Sequence, residues 1–103
     1  MFHKIKWFIQ RGTRGYADCD VWDLDAYLCS WLPQAIRQLR DTGWSYPIKE
    51  TNEKWKLILS EMADGFEAHY KLTQLCDENY QELETKFKKG LRLFVKYFSC
   101  LWD

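Results

Sequence analysis

The sequence predicts an all-α fold, and three observations carry that expectation. Apolar residues recur every three or four positions along three separate stretches, the spacing of a helical face. Residues suited to capping stand ahead of those stretches. A single alternating run, near the start, has no second run to pair with in a sheet. Amphipathic helices joined by short connections pack as a bundle. The expected architecture is a three-helix bundle, its first helix kinked at a proline, behind an N-terminal arm or short extra helix.

Along the chain, Met1 to Gln10 (MFHKIKWFIQ) reads two ways. Ile5, Trp7 and Ile9 alternate as in a strand, while Phe2, Ile5 and Ile9 also fit one short helical face. A lone strand leaves its hydrogen bonds unmade, which favours an extended arm or a short helix. Gly12 and Gly15 bracket Thr13 and Arg14, so Arg11 to Cys19 reads as a loop. Residues 1–19 are thus assigned to an arm and an Arg/Gly loop.

The first long helix is expected over residues 20–41. Asp20 is placed to cap it, with Asp23 at the capping-box position. Val21, Leu24, Leu28, Leu32, Ile36 and Leu39 mark its apolar line. Pro33 is expected to kink or divide it near Cys29 to Leu32, and Gly43 to stop it. Asp41 to Glu50 is a connection, with Tyr46 held extended by Pro47. The second helix, residues 52–70, is capped by Thr51 and carries a stripe of Trp55, Ile58, Met62, Phe66 and Tyr70. Gly65 within it signals a close helix approach or a weak point. The third, residues 77–101, begins at Asp77 and steps through Tyr80, Leu83, Phe87, Leu91, Phe94, Phe98 and Leu101. Glu82 with Lys86 and Glu84 with Lys88 are well-oriented pairs four apart, each contributing a few tenths of a kcal/mol.

With 103 residues the chain suits a single domain. Aromatic residues make up 17% of it, more than so small a core requires, which predicts self-association or a ligand surface. The net charge is zero, which argues against general nucleic-acid binding driven by counterion release. The charges are nevertheless segregated. Lys4, Lys6, Arg11 and Arg14 precede every acid, and Asp18, Asp20, Asp23 and Asp25 follow without a base until Arg37. The four cysteines lack zinc-site spacing and are expected to be reduced, apolar residues of a cytoplasmic protein. No secretory signal is read near Trp7-Phe8-Ile9, and no run is long enough to span a membrane.

Several clusters could carry chemistry. The four aspartates could hold a divalent cation, but they do not follow an EF-hand spacing, and a helical Asp23 would point away from Asp25. Capping and favourable charge at a helix start explain them more simply. Glu61, Asp64 and Glu67 form E-x-x-D-x-x-E, which a metal-dependent nucleotide hydrolase could use, though such spacing is common on solvated faces. Arg11 and Arg14 on glycine-flanked backbone suit phosphate or carboxylate recognition; the alternative is that they pair with the following aspartates and staple the arm to the helix. His3 and His69 give nucleophilic catalysis little equipment, with Cys76–His69 the one conceivable pair. Trp7, Tyr16, Trp22, Trp31, Trp44, Tyr46 and Trp102 exceed the needs of the three stripes. Aromatics beside arginine mark protein contact sites and also stack nucleobases. The sites expected to bind a partner are therefore Lys4, Lys6, Arg11, Arg14, Tyr16 and Trp22, with no catalytic residue, metal or cofactor.

The block RGTRGYADCDVWDLDAYL, Arg11 to Leu28, resembles one found in small hypothetical proteins of bacteriophages and prophages, of the form RGxxGYxDxDxWxxDxYL. The turn Gly43-Trp44-Ser45-Tyr46-Pro47 and the Trp-containing helix from Trp55 to Phe66 extend the similarity over most of the chain. The resemblance implies a phage origin and transfers no catalytic residue. The family has no established activity. Because small phage proteins often act stoichiometrically on host machinery, the expectation is a non-enzymatic protein in the host cytoplasm that binds a host protein or sequesters a nucleotide signal, as counter-defence proteins do. The competing expectations are the metal-dependent hydrolase and a virion structural or assembly component.

Overall fold

The computed structural model describes residues 2–43, 46–47, 50–74 and 79–102. It is all-helical, with no strand among the described residues. Five α-helices follow in order: α1 (Phe2–Arg14), α2 (Asp18–Trp22), α3 (Leu24–Thr42), α4 (Asn52–Gln74) and α5 (Tyr80–Tyr97). One 3-10 turn, Phe98–Cys100, closes the chain.

The centre of the fold is α4. Trp55, Ile58, Met62 and Phe66 of the expected stripe are all buried, with Leu59 and Ala63 beside them. Thr51 caps the helix, its Oγ1 accepting from the Lys54 N–H at 3.1 Å. Both α3 and α5 pack on α4, yet no described Cα of α3 lies within 8 Å of one in α5. The three long helices therefore form a flat layer with α4 in the middle rather than a closed three-helix bundle. The extents of 50 × 36 × 19 Å reflect that layer.

Gly65 and Gly90 set the α4–α5 crossing. A Cβ on Gly65 would lie 2.8 Å from the Gly90 Cα and 2.7 Å from the Lys86 carbonyl oxygen. Both neighbours are backbone, so the two helices touch main chain to main chain. Phe66 fills the space beside that contact, its ring edge-on to Phe87 and Phe94 with centroids 6.2 and 5.0 Å away. At the other end, Trp55 meets Tyr97 at 5.4 Å, and the Tyr97 hydroxyl donates to Glu50 at 3.0 Å. The expected pairs Glu82–Lys86 and Glu84–Lys88 form, at 4.0 and 3.5 Å. On the expected α5 line, however, Tyr80, Leu91 and Phe98 are exposed, and Leu83, Phe87, Gly90, Phe94 and Tyr97 face α4.

The N-terminal third departs most from expectation. Residues 2–14 are helical, so Gly12 lies inside α1 and only Gly15 to Ala17 remain as a connection. Gly15 makes the turn at φ 86°, a conformation that favours glycine. The helix expected over residues 20–41 is broken, but at Asp23 (φ −145°, ψ 65°) rather than at Pro33. The chain runs helically through Pro33, which is buried. The apolar face accordingly begins later than expected: Val21, Leu24 and Leu28 are exposed, whereas Cys29 and Ile36 join the core. Burial raises the Cys29 thiol to about 11, as suits an apolar filler. Gly43 ends α3 with its N–H on the Leu39 carbonyl at 2.8 Å. Asp77, expected as the third helix cap, and Cys76 lie outside the described residues.

Candidate functional site

Of the residues singled out from the sequence, Lys6, Arg11, Arg14, Tyr16 and Trp22 meet at the corner between α1 and α2. Gly15 turns the chain back, its N–H reaching the Arg11 carbonyl at 3.0 Å and its own carbonyl accepting from the Tyr27 hydroxyl at 2.8 Å. Ala17 then starts α2. Its buried N–H donates to Asp20 Oδ2 at 2.7 Å, so Asp20 caps the helix from its third residue rather than from the position ahead of it.

The arginines are absorbed by this corner. Arg11 reaches the Asp20 carboxylate through two N–H groups, at 2.6 and 3.0 Å, the fork geometry that guanidinium favours. Arg14 donates to Asp18 at 2.6 Å and to the Tyr16 carbonyl at 2.9 Å, with its guanidinium 4.4 Å from the Tyr16 ring centroid. Gln10 exchanges two bonds with Asp18, accepting from its N–H at 2.8 Å and donating to its carboxylate at 2.9 Å. Lys6 lies 3.5 Å from the same carboxylate. These bonds hold Asp18 down at about 2, the Gln10 and Arg14 contacts leading. Arg11 does the same for Asp20, which is lowered, and both guanidiniums are raised in return. Lys4 has no ion pair among the described residues.

The remaining two aspartates sit on the other side of the α2–α3 break. Asp23 is not helical, and its carboxyl meets that of Asp25. The neighbouring carboxyl raises Asp23, while Asp25 is lowered, chiefly by His69. His69 Nε2 lies 2.7 Å from Asp25 Oδ2, and its ring rests on Phe87 with centroids 4.3 Å apart. This contact ties the start of α3 to α4 and α5. Sequence spacing gave no sign of it, since the partners are 44 positions apart. The acidic series on α4 is also engaged. Arg37 bridges Asp64 and Glu67 at 2.9 and 2.6 Å, and Lys89 reaches Glu61 at 3.2 Å. Among the described residues no group of three His, Cys, Asp or Glu side chains is placed to hold a metal ion.

What the corner leaves free is aromatic and apolar. Trp22 is 75% exposed, its ring edge-on to Trp7 at 5.8 Å. Val21, Leu24, Leu28 and Trp31, on α2 and the first turns of α3, are exposed as well. So are Tyr16, Tyr46 and Trp102, while Trp44 lies outside the described residues. No helix is long and apolar enough to cross a membrane among the described residues. Compared with known proteins, the chain matches no family model, no curated protein and no solved structure.

Proposed function

We propose that this chain is a non-enzymatic binding protein that docks onto another protein through the corner centred on Trp22. The observation that supports this reading is the division of labour at the corner. Arg11 and Arg14 each turn two N–H groups onto Asp18, Asp20 or the Tyr16 carbonyl, while Trp22 stands in solvent against the Trp7 ring. An exposed Trp held by a second ring has little freedom to lose on binding, which is what contact-site anchors require. The same engagement of the arginines weakens the idea that the corner grips a nucleotide phosphate. The phage-type resemblance of Arg11 to Leu28 makes a host protein of the infected cell the partner class, acted on stoichiometrically.

Crosslinking in host extract, followed by calorimetric titration of the recovered protein, tests the reading. The expected result is saturation at a fixed whole-number ratio and at least tenfold weaker binding for Trp22→Ala. Binding indifferent to Trp22→Ala would refute the docking corner. Magnesium- or manganese-dependent nucleotide turnover lost on Glu61→Gln or Asp64→Asn would refute the non-enzymatic reading.

A further inference from the structure

Helix α1 is mounted with its faces reversed. Trp7, Gln10, Arg11 and Arg14 meet α2 and its approach, whereas Phe2, Ile5, Phe8 and Ile9 face solvent. Phe2 is 89% exposed and Phe8 78%, and no residue of α1 is buried. No described Cα of α1 comes within 8 Å of one in α3, α4 or α5. An amphipathic helix normally turns its apolar stripe to the core. Here the polar face is spent on the staple and the apolar stripe has no cover among the described residues.

A second apolar surface lies open elsewhere. Leu32, Ala35, Ile36 and Leu39 of α3 line a groove of about 390 Å³ with Leu101 and Trp102 of the chain end. None of the six lining residues is charged. The groove exists because α3 and α5 both lean on α4 without meeting each other. The α1 stripe and the α3 row each run over eight residues, Phe2 to Ile9 and Leu32 to Leu39, seven helical steps that make each roughly 10 Å long. The polar staple fixes α1 at the α2 corner, out of reach of its own groove.

The overall dimensions call for a partner surface. A compact monomer of 12.5 kDa exposes roughly 6,200 Å², and this chain exposes 7763 Å². Its radius of gyration is 15.6 Å, against about 13 Å for a compact domain of this length. The excess of roughly 1,600 Å² is about twice what each partner buries in a standard interface. We propose that two copies of this chain exchange their N-terminal helices, α1 of each seating its Phe2–Ile5–Ile9 stripe in the α3 groove of the other. The contact is closed by a two-fold axis, so each copy buries both its helix face and its groove. Pairing of α1 with α1 would leave the uncharged α3 groove open, whereas exchange covers both apolar surfaces at once. Anionic lipid is disfavoured: Asp18 and Asp20 neutralise the basic face, and Asp23 and Asp25 lie just beyond it.

Sedimentation equilibrium of the full chain at micromolar concentration tests the exchange, with circular dichroism to check folding. The expected mass is twice 12.5 kDa. Ile9→Glu and Ala35→Lys, both at exposed positions, each give a monomer alone. Mixed in equal amounts they give a dimer, since one native contact is restored and the other gains a charge pair. A monomeric wild type overturns the proposal, and so does an Ala35→Lys variant that stays dimeric or a mixture that fails to associate. Monomer that binds vesicles of anionic phospholipid through α1 overturns it in favour of a lipid surface.

Discussion

Gly65→Ala is the sharpest probe of the α4–α5 crossing. The added methyl would meet the Lys86 carbonyl oxygen at 2.7 Å and the Gly90 Cα at 2.8 Å. Carbon atoms rest at about 3.5–4.0 Å, so the helices must part by nearly 1 Å. Neither neighbour is a side chain that can swing aside. Parting loosens the Phe66 contacts with Phe87 and Phe94 next to the crossing. Forced overpacking costs about 1–3 kcal/mol, occasionally more, and here the obstacle is rigid, which places it at the upper end. Replacing glycine by alanine inside a helix returns about 1 kcal/mol. The net expectation is a loss of about 2 kcal/mol, or roughly 8–16 °C in Tm for a domain of this size. Gly12→Ala is the matched control. It lies inside α1 with nothing within 4 Å of the new methyl, so only the propensity gain remains. Thermal unfolding followed by circular dichroism should show a lower Tm for Gly65→Ala and no such loss for Gly12→Ala. A Tm for Gly65→Ala equal to or above wild type would refute the main-chain contact.

Two further perturbations address the polar corner. Asp20→Ala removes the fork to Arg11 and leaves the buried Ala17 N–H without an acceptor, a cost of about 1–3 kcal/mol; near-ultraviolet circular dichroism should lose the Trp7–Trp22 signal while the far-ultraviolet spectrum changes little. Acid should act on the same contact. Asp18 and Asp20 are lowered in the folded chain, so their contribution is complete above the ordinary carboxylate value of 3.8 and fades as pH falls toward about 2. Tryptophan fluorescence should therefore report loosening of α1 between those limits and none between pH 5 and 7.

Much of the layer is written openly in the sequence. The α4 stripe from Trp55 to Phe66 has a single wet side, so its period of three and four survives in the fold. Gly65 stood out because a glycine inside a strong helical pattern needs a packing reason, and Gly90 supplies it. The N-terminal third was harder for a physical reason: α1 obeys helical spacing but turns the wrong face outward, so its pattern does not say where it docks. Gly12 and Gly15 look alike in sequence, yet only Gly15 takes a positive φ. Pro33 looked like the stronger breaker, but the helix runs through it and breaks at Asp23, whose dihedrals leave the helical region. Of the candidate site, the stapling of Arg11 and Arg14 to the following aspartates was legible as one of two readings. The Asp25–His69 contact was not, because it depends on how α3 lies on α4.

The attachment of α1 through Asp18 and Asp20 has a consequence for how the molecule opens. Local unfolding is easiest where little apolar surface must be uncovered, and α1 has no buried residue to uncover. Its amides should exchange with solvent through excursions that leave α3, α4 and α5 protected, and salt should speed them by screening the ion pairs. In a lone copy α1 thus acts as a latch held by charge, able to swing free without melting the layer behind it, and seating its stripe in a partner's groove would close the latch.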